Sequence, residues 1–176
     1  MHKKKNIFLI GFMGVGKSTM ARKLARKINY EFIDTDKYIE HKYRTSVENI
    51  IDSSGIDVFR ELEHIALKEI IKNNNSVVAT GGGMPCFFNN MDLINQNGYS
   101  IYICFPCDII FYRLKNAKTI RPLIKDKNDE QLMDFIQETL KEREVFYNKA
   151  DFIFSDRSVR TEKLLDIIST WKMIPA

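Results

Sequence analysis

Cysteine is scarce in this chain, with three residues in 176, and no export signal accompanies them, so a reducing cytoplasm rather than a disulfide-stapled secreted context is expected. Histidine is equally scarce, and His2, His41 and His64 lack metal-ligand spacing. No apolar run approaches the roughly 20 residues needed to cross a bilayer, which argues against a membrane partner. Lys3–Lys5 followed by Ile7–Ile10 imitates a secretory leader. Gly11, Gly14 and Gly16 interrupt that run, however, and no small-residue cleavage site follows, so it reads as a first strand. No repeat, low-complexity tract or Pro/Gly/Ser linker divides the sequence, and one domain over residues 1–176 is expected. Concentrated positive charge is missing too. The net +4 is spread along the chain, which suits a polyanionic small molecule better than nucleic acid.

What is present is a globular composition, 44% apolar with twelve Phe and seven Tyr. Short apolar runs alternate with longer amphipathic ones. Asn6–Ile10, Phe32–Asp34, Ser76–Thr80, Ser100–Cys104 and Phe152–Phe154 read as strands. Most are apolar throughout, as strands buried on both faces of a parallel sheet are. Between them, Met20, Ala21, Leu24, Ala25 and Ile28 form one face of a helix over Lys17–Ile28, with Arg22, Lys23, Arg26 and Lys27 on the other. Thr45-x-x-Glu48 has capping-box spacing for a short helix. A longer helix carries Phe59, Leu62, Ala66 and Ile70. Another spans Asp129–Tyr147, and a last one, about Thr161–Trp171, packs Leu164, Leu165 and Ile168 inward. This alternation predicts an α/β fold with helices on both faces of a parallel sheet.

Gly11-Phe12-Met13-Gly14-Val15-Gly16-Lys17-Ser18 fits G-x-x-x-x-G-K-[ST] and lies between an apolar strand and a helix, the context the motif requires. Glycines let the backbone wrap closely around phosphates, and the helix N-terminus adds partial positive charge. Lys17 is expected on the β- and γ-phosphates and Ser18 on Mg²⁺. The motif names a nucleotide but no acceptor. Asn148-Lys149-Ala150-Asp151 and Asp52-Ser53-Ser54-Gly55 match GTPase motifs in letters, yet neither follows a strand. Cys104-Phe105-Pro106-Cys107 matches C-x-x-C, but the order of elements around it is wrong for a thioredoxin-like unit.

The strand Ser76–Thr80 lacks the magnesium-holding carboxylate expected at its end. Acids stand instead after the second strand, in Asp34-Thr35-Asp36. If the chain is still extended there, both project to one side, able to divide roles between metal water and acceptor; otherwise this is a solvated turn with Asp36 starting a helix. Arg143 continues the apolar stripe Leu132, Ile136, Leu140, so it either snorkels out or meets a buried anion. Arg60 either pairs blandly with Glu63 one turn on, or is oriented by it toward a substrate carboxylate. Arg121, before Pro122 in the polar stretch 119–128, is placed to close over transferring phosphate.

Taken in order, the phosphate loop through Thr19, Asp34-Thr35-Asp36, Phe59-Arg60-x-x-Glu63, Gly81-Gly82-Gly83, Arg121-Pro122-Leu123 and Glu142-Arg143-x-x-x-Tyr147 resemble the shikimate kinase family across nearly the whole chain. The resemblance implies a nucleoside-monophosphate-kinase-like, three-layer P-loop fold with a five-stranded parallel sheet. It also implies an acceptor segment around residues 37–65 and a lid around 117–128. It further implies a monomeric, ATP- and Mg²⁺-dependent kinase that phosphorylates the 3-hydroxyl of shikimate. Gly14, Val15, Gly16, Lys17, Ser18, Thr19 and Arg121 would hold ATP, and Ser18 and Asp34 would serve Mg²⁺. Asp36, Arg60, Gly81, Gly82, Gly83 and Arg143 would hold shikimate, with the two arginines on its carboxylate. Lys17, Asp36 and Arg121 would be catalytic, Asp36 as base or orienter. Arg157 and Arg160 both remain candidates for adenine. Alternatives are a gluconate kinase-like enzyme on the same scaffold and a binding protein that has lost catalysis.

Overall fold

The computed structural model describes residues 6–117, 122–155 and 161–170. Five parallel strands form one sheet: β1 (Asn6–Ile10), β2 (Glu31–Asp34), β3 (Ser76–Ala79), β4 (Gly98–Ile103) and β5 (Phe152–Phe154), in the order β2-β3-β1-β4-β5. β1 sits at the centre, fully buried, paired to β3 with Leu9 opposite Ala79 and to β4 with Ile10 opposite Tyr102. Parallel pairing forces each connection to cross over a face, and helices supply the crossovers.

These helices are α1 (Lys17–Ile28), α2 (Thr35–Tyr43), α3 (Val47–Ser54), α4 (Ile56–Ile70), α5 (Asn90–Asn97), α6 (Cys107–Lys115), α7 (Asp129–Tyr147) and α8 (Thr161–Thr170). α1 buries Met20, Ala21, Leu24 and Ala25 and leaves its basic face outward, as the sequence period predicts. Its C-terminus is closed by Asn29 in the left-handed conformation. α7 opens with a capping box made by Asn128 and Gln131. Among the described residues, no helix is long and apolar enough to cross a membrane.

The main core joins both faces of the sheet. A second, small cluster of Ile39, Ile50, Phe59 and Ala66 sits where α2, α3 and α4 meet. This segment leaves the sheet after β2 and returns at β3, so it stands beside the mouth of the phosphate loop.

Several local expectations shift. Ser46, not Thr45, caps α3, its hydroxyl accepting from the Asn49 N–H at 3.1 Å. No capping box with Glu48 forms, because the helix starts one residue later than the spacing implies. β4 starts at Gly98 and ends at Ile103, so Cys104 lies past the strand and is half-buried. α5 carries little apolar periodicity and has no counterpart among the helices the sequence pattern predicts. Leu164 and Ile168 of α8 are buried as expected, with Leu165 half-buried. Trp171, Arg121, Arg157 and Arg160 lie outside the described residues.

Candidate active site

The phosphate loop leaves the carboxyl end of β1 and enters α1. Gly14 and Gly16 have φ of 80° and 98°, left-handed values that a side chain would strain. Gly16 is the N-cap of α1 and provides no side-chain hydrogen bond, so the first N–H groups of the helix remain available to an anion. The buried Lys17 ammonium donates to the carbonyls of Gly11 at 2.8 Å and Phe12 at 2.7 Å, bracing the loop from inside. Arg113 of α6 reaches the same loop, donating to the Val15 carbonyl at 2.8 Å while its guanidinium stands 4.6 Å from the Phe105 ring centroid. Nothing in the spacing of Arg113 announces this; only the crossover of α6 onto the loop brings it there.

The two carboxylates after β2 reach the site by a different route from the one their spacing suggests. The chain is not extended through them. Asp34 ends β2 and caps α2, accepting from the Lys37 N–H at 3.3 Å, and Asp36 sits in the first helical turn. Asp34 also accepts from the Ser18 hydroxyl at 2.6 Å. Thr35, buried between them, takes the Gly81 N–H on its hydroxyl at 2.8 Å and so ties this turn to the glycine run. Asp34 and Asp36 nevertheless line one pocket with Gly14, Gly16, Lys17, Ser18 and Thr19. Val15 is buried beneath the loop.

Beside it lies a second, tighter pocket lined by Met13, Asp36, Arg60, Glu63, Gly81, Gly82, Gly83 and Arg143, with Val47, Ile51, Ile56, Phe59 and Leu123 as apolar walls. Arg60 is buried and paired with an equally buried Glu63, so the pair is not a solvated surface bridge. A Cβ at Gly83 would stand within 2.5 Å of Nη1, Cζ and Nη2 of Arg60 alike, which puts this glycine flat against the guanidinium. A Cβ at Gly82 would meet Arg143 at 3.3 Å, and one at Gly81 would meet Glu63 and Asp36 at 2.6 and 2.8 Å. The three glycines are therefore spacers that let two arginines and two carboxylates converge. Arg143 is half-buried, 5.7 Å from the Phe12 ring centroid. One turn on, the fully buried Tyr147 donates its hydroxyl to the Gly82 carbonyl and packs on Tyr102. The motif position of Tyr147 is visible in the sequence, but not this role.

Burial pushes the Glu63 carboxyl up to about 7, with Asp36 adding to the rise and Arg60 and Arg143 opposing it. Because the folded value exceeds the ordinary 4.5, the folded chain holds this proton more tightly than the unfolded one. Its contribution to stability is then full below about 4.5 and is lost as pH rises through about 7. Glu63→Gln, which cannot titrate, should show a flatter urea-midpoint profile between pH 5 and 8 than the parent chain. Parallel profiles would place the proton elsewhere.

Hard oxygen donors at Ser18 and Asp34, side by side next to Lys17, suit Mg²⁺, which keeps most of its water and takes one or two protein oxygens. Among the described residues, no group of three or more His, Cys, Asp or Glu forms an all-protein metal cage. The GTPase-like matches dissolve in context: Asp151 accepts from the Ser100 N–H at 3.0 Å at the β4–β5 junction, and Asp52 lies within α3. Cys86, Cys104 and Cys107 are free thiols, and burial pushes Cys86 up to about 11, away from thiolate chemistry.

Known proteins share this fold. The shikimate kinase family model matches residues 13–171. A shikimate kinase of Azobacteroides pseudotrichonymphae is 41% identical over 163 residues, covering 92% of this chain and 96% of that one. The crystal structure of shikimate kinase from Bacteroides thetaiotaomicron superposes with a TM-score of 0.89 at 39% identity, over 94% of this chain and 98% of that one. Shikimate kinase from Acinetobacter baumannii, solved in complex with shikimate, gives a TM-score of 0.85 at 32% identity, over 96% and 95%.

Proposed function

We infer that this chain, which belongs to the shikimate kinase family, transfers the γ-phosphoryl group of ATP to a hydroxyl of shikimate. One observation carries the acceptor side of this reading. Met13, Asp36, Gly81 and Gly82 line both the phosphate pocket and the arginine pocket. A group held by the arginines therefore presents its hydroxyl at the wall shared with the phosphates, as in-line transfer needs.

The finer assignments are proposals supported by that shared wall and by the family motifs. The acceptor is the 3-hydroxyl. Arg60 and Arg143 hold the acceptor's carboxylate through charge-assisted hydrogen bonds, and Gly81–Gly83 admit the ring. Asp36 orients the hydroxyl and takes its proton as oxygen bonds to the γ-phosphorus and the bond to ADP breaks. Lys17 and the phosphate-loop N–H groups, with the α1 terminus behind them, stabilise the negative charge of the transferring group. Bound Mg²⁺, held through Ser18 and waters near Asp34, would neutralise phosphate charge. Arg121, outside the described residues, is proposed to close over the phosphates with the lid 117–128, excluding water. Residues 1–176 are proposed to work as one monomeric domain in the cytoplasm, with 37–65 as acceptor segment.

If Arg143 serves the acceptor, Arg143→Ala should raise the KM for shikimate by roughly tenfold to a hundredfold, the cost of losing hydrogen bonds to a charged group, and leave the KM for ATP nearly unchanged. Equal effects on both would remove it from the acceptor pocket. The reaction itself is tested by ADP release from ATP and Mg²⁺ with shikimate, gluconate, a nucleoside monophosphate or no acceptor. Turnover with shikimate alone supports the reading. Turnover with gluconate would favour the rival kinase on the same scaffold, and none with any acceptor would favour a chain that has lost catalysis.

A further inference from the structure

The segment after the glycine run makes one 3-10 turn, Met84–Cys86, and then places two phenylalanines in succession. Phe88 has φ of 53°, an uncommon conformation for an aromatic residue. Such conformations persist where surrounding contacts impose them, and here the contacts are evident. The Phe88 ring stacks on His64 of α4, centroids 4.8 Å apart. His64 hydrogen-bonds Asn90 at 2.6 Å, and the buried Asn90 amide donates back to the Met84 carbonyl at 2.8 Å. The segment is thus clamped to α4 at the residue next to Glu63. The product of the clamp is the position of Phe87, whose ring centroid stands 4.5 Å from the Arg60 guanidinium carbon. With Gly83 flat against that guanidinium and Glu63 paired to it, Phe87 completes its enclosure.

We propose that Phe87 is a positioning residue of the acceptor pocket, its ring face fixing the Arg60 guanidinium in the orientation that meets the acceptor's carboxylate. Resting on the acceptor reading of Arg60 given above, it goes beyond it in naming what sets that arginine's orientation. The physical basis is twofold. A ring face attracts a guanidinium electrostatically, more strongly as water is excluded, and its bulk removes the outward rotamers that a long side chain otherwise samples. A Phe that is 40% exposed contributes modestly to the core, so the variants fold.

The test is steady-state kinetics on the full chain with Phe87→Ala, Phe87→Leu and Phe87→Tyr. Ala is expected to raise the KM for shikimate roughly fivefold, equivalent to about 1 kcal/mol, with the KM for ATP and kcat within about twofold of the parent. Tyr, which keeps the ring, should restore the parent KM, and Leu should behave like Ala. An unchanged shikimate KM in the Ala variant, or full recovery by Leu, overturns the proposal. The parent chain in the same assay separates this from failure of the functional reading, since shikimate-independent turnover there would remove the acceptor reading ahead of any comparison with a variant.

Discussion

Lys17→Ala is expected to lower turnover by roughly a thousandfold, the usual cost of removing a preorganised charge from a transferring group, while the chain remains folded. The ammonium is the buried positive charge at the floor of the phosphate pocket, on the first residue of α1. Its two hydrogen bonds to loop carbonyls, at 2.8 and 2.7 Å, also brace the loop, and losing them costs about 1 kcal/mol each. A fall of several degrees in melting temperature should therefore accompany the kinetic loss, without unfolding. Turnover within tenfold of the parent would remove Lys17 from the transfer step.

The second large effect is expected at Asp36. Asp36→Asn keeps volume and most hydrogen bonding but removes the proton acceptor, and turnover should fall roughly a hundredfold or more. The KM for shikimate should move far less, because Arg60 and Arg143 remain. Unchanged turnover would mean that Asp36 neither accepts the proton nor fixes the hydroxyl. A fall in shikimate affinity with kcat preserved would make it a binding residue only.

Both predictions rest on residues that stand out in the amino-acid sequence itself. The phosphate loop is readable because its motif depends on local backbone geometry, and the central strands because burial on both faces leaves an apolar run. α5 escapes such a reading because its sequence, Asn90–Asn97, is largely polar and its helix is set by packing against β4. The order β2-β3-β1-β4-β5 escapes it because alternation implies parallel strands without ranking them. At the site, the spacing of Asp34 and Asp36 points to the pocket for a mistaken geometric reason, since the chain turns helical between them. They share the pocket because the turn wraps toward Ser18 and Gly81. Thr35, Phe87, Arg113 and the role of Tyr147 depend on contacts between residues 46, 27, 98 and 65 positions apart, respectively, which no local spacing encodes.

The absent side-chain cap at Gly16 bears on how the chain lives in a cell. A helix start with glycine in place of a side-chain cap forgoes roughly a few tenths of a kcal/mol, and the left-handed glycines around it lose more chain entropy on folding than other residues would. A bound phosphate supplies the missing hydrogen-bond acceptors, so by mass action the nucleotide is also a folding ligand. At a free concentration a hundred times its Kd, such a ligand adds about 2.7 kcal/mol to the folded side of the equilibrium. The folded fraction of the chain then rises with the free concentration of whichever nucleotide fills the loop.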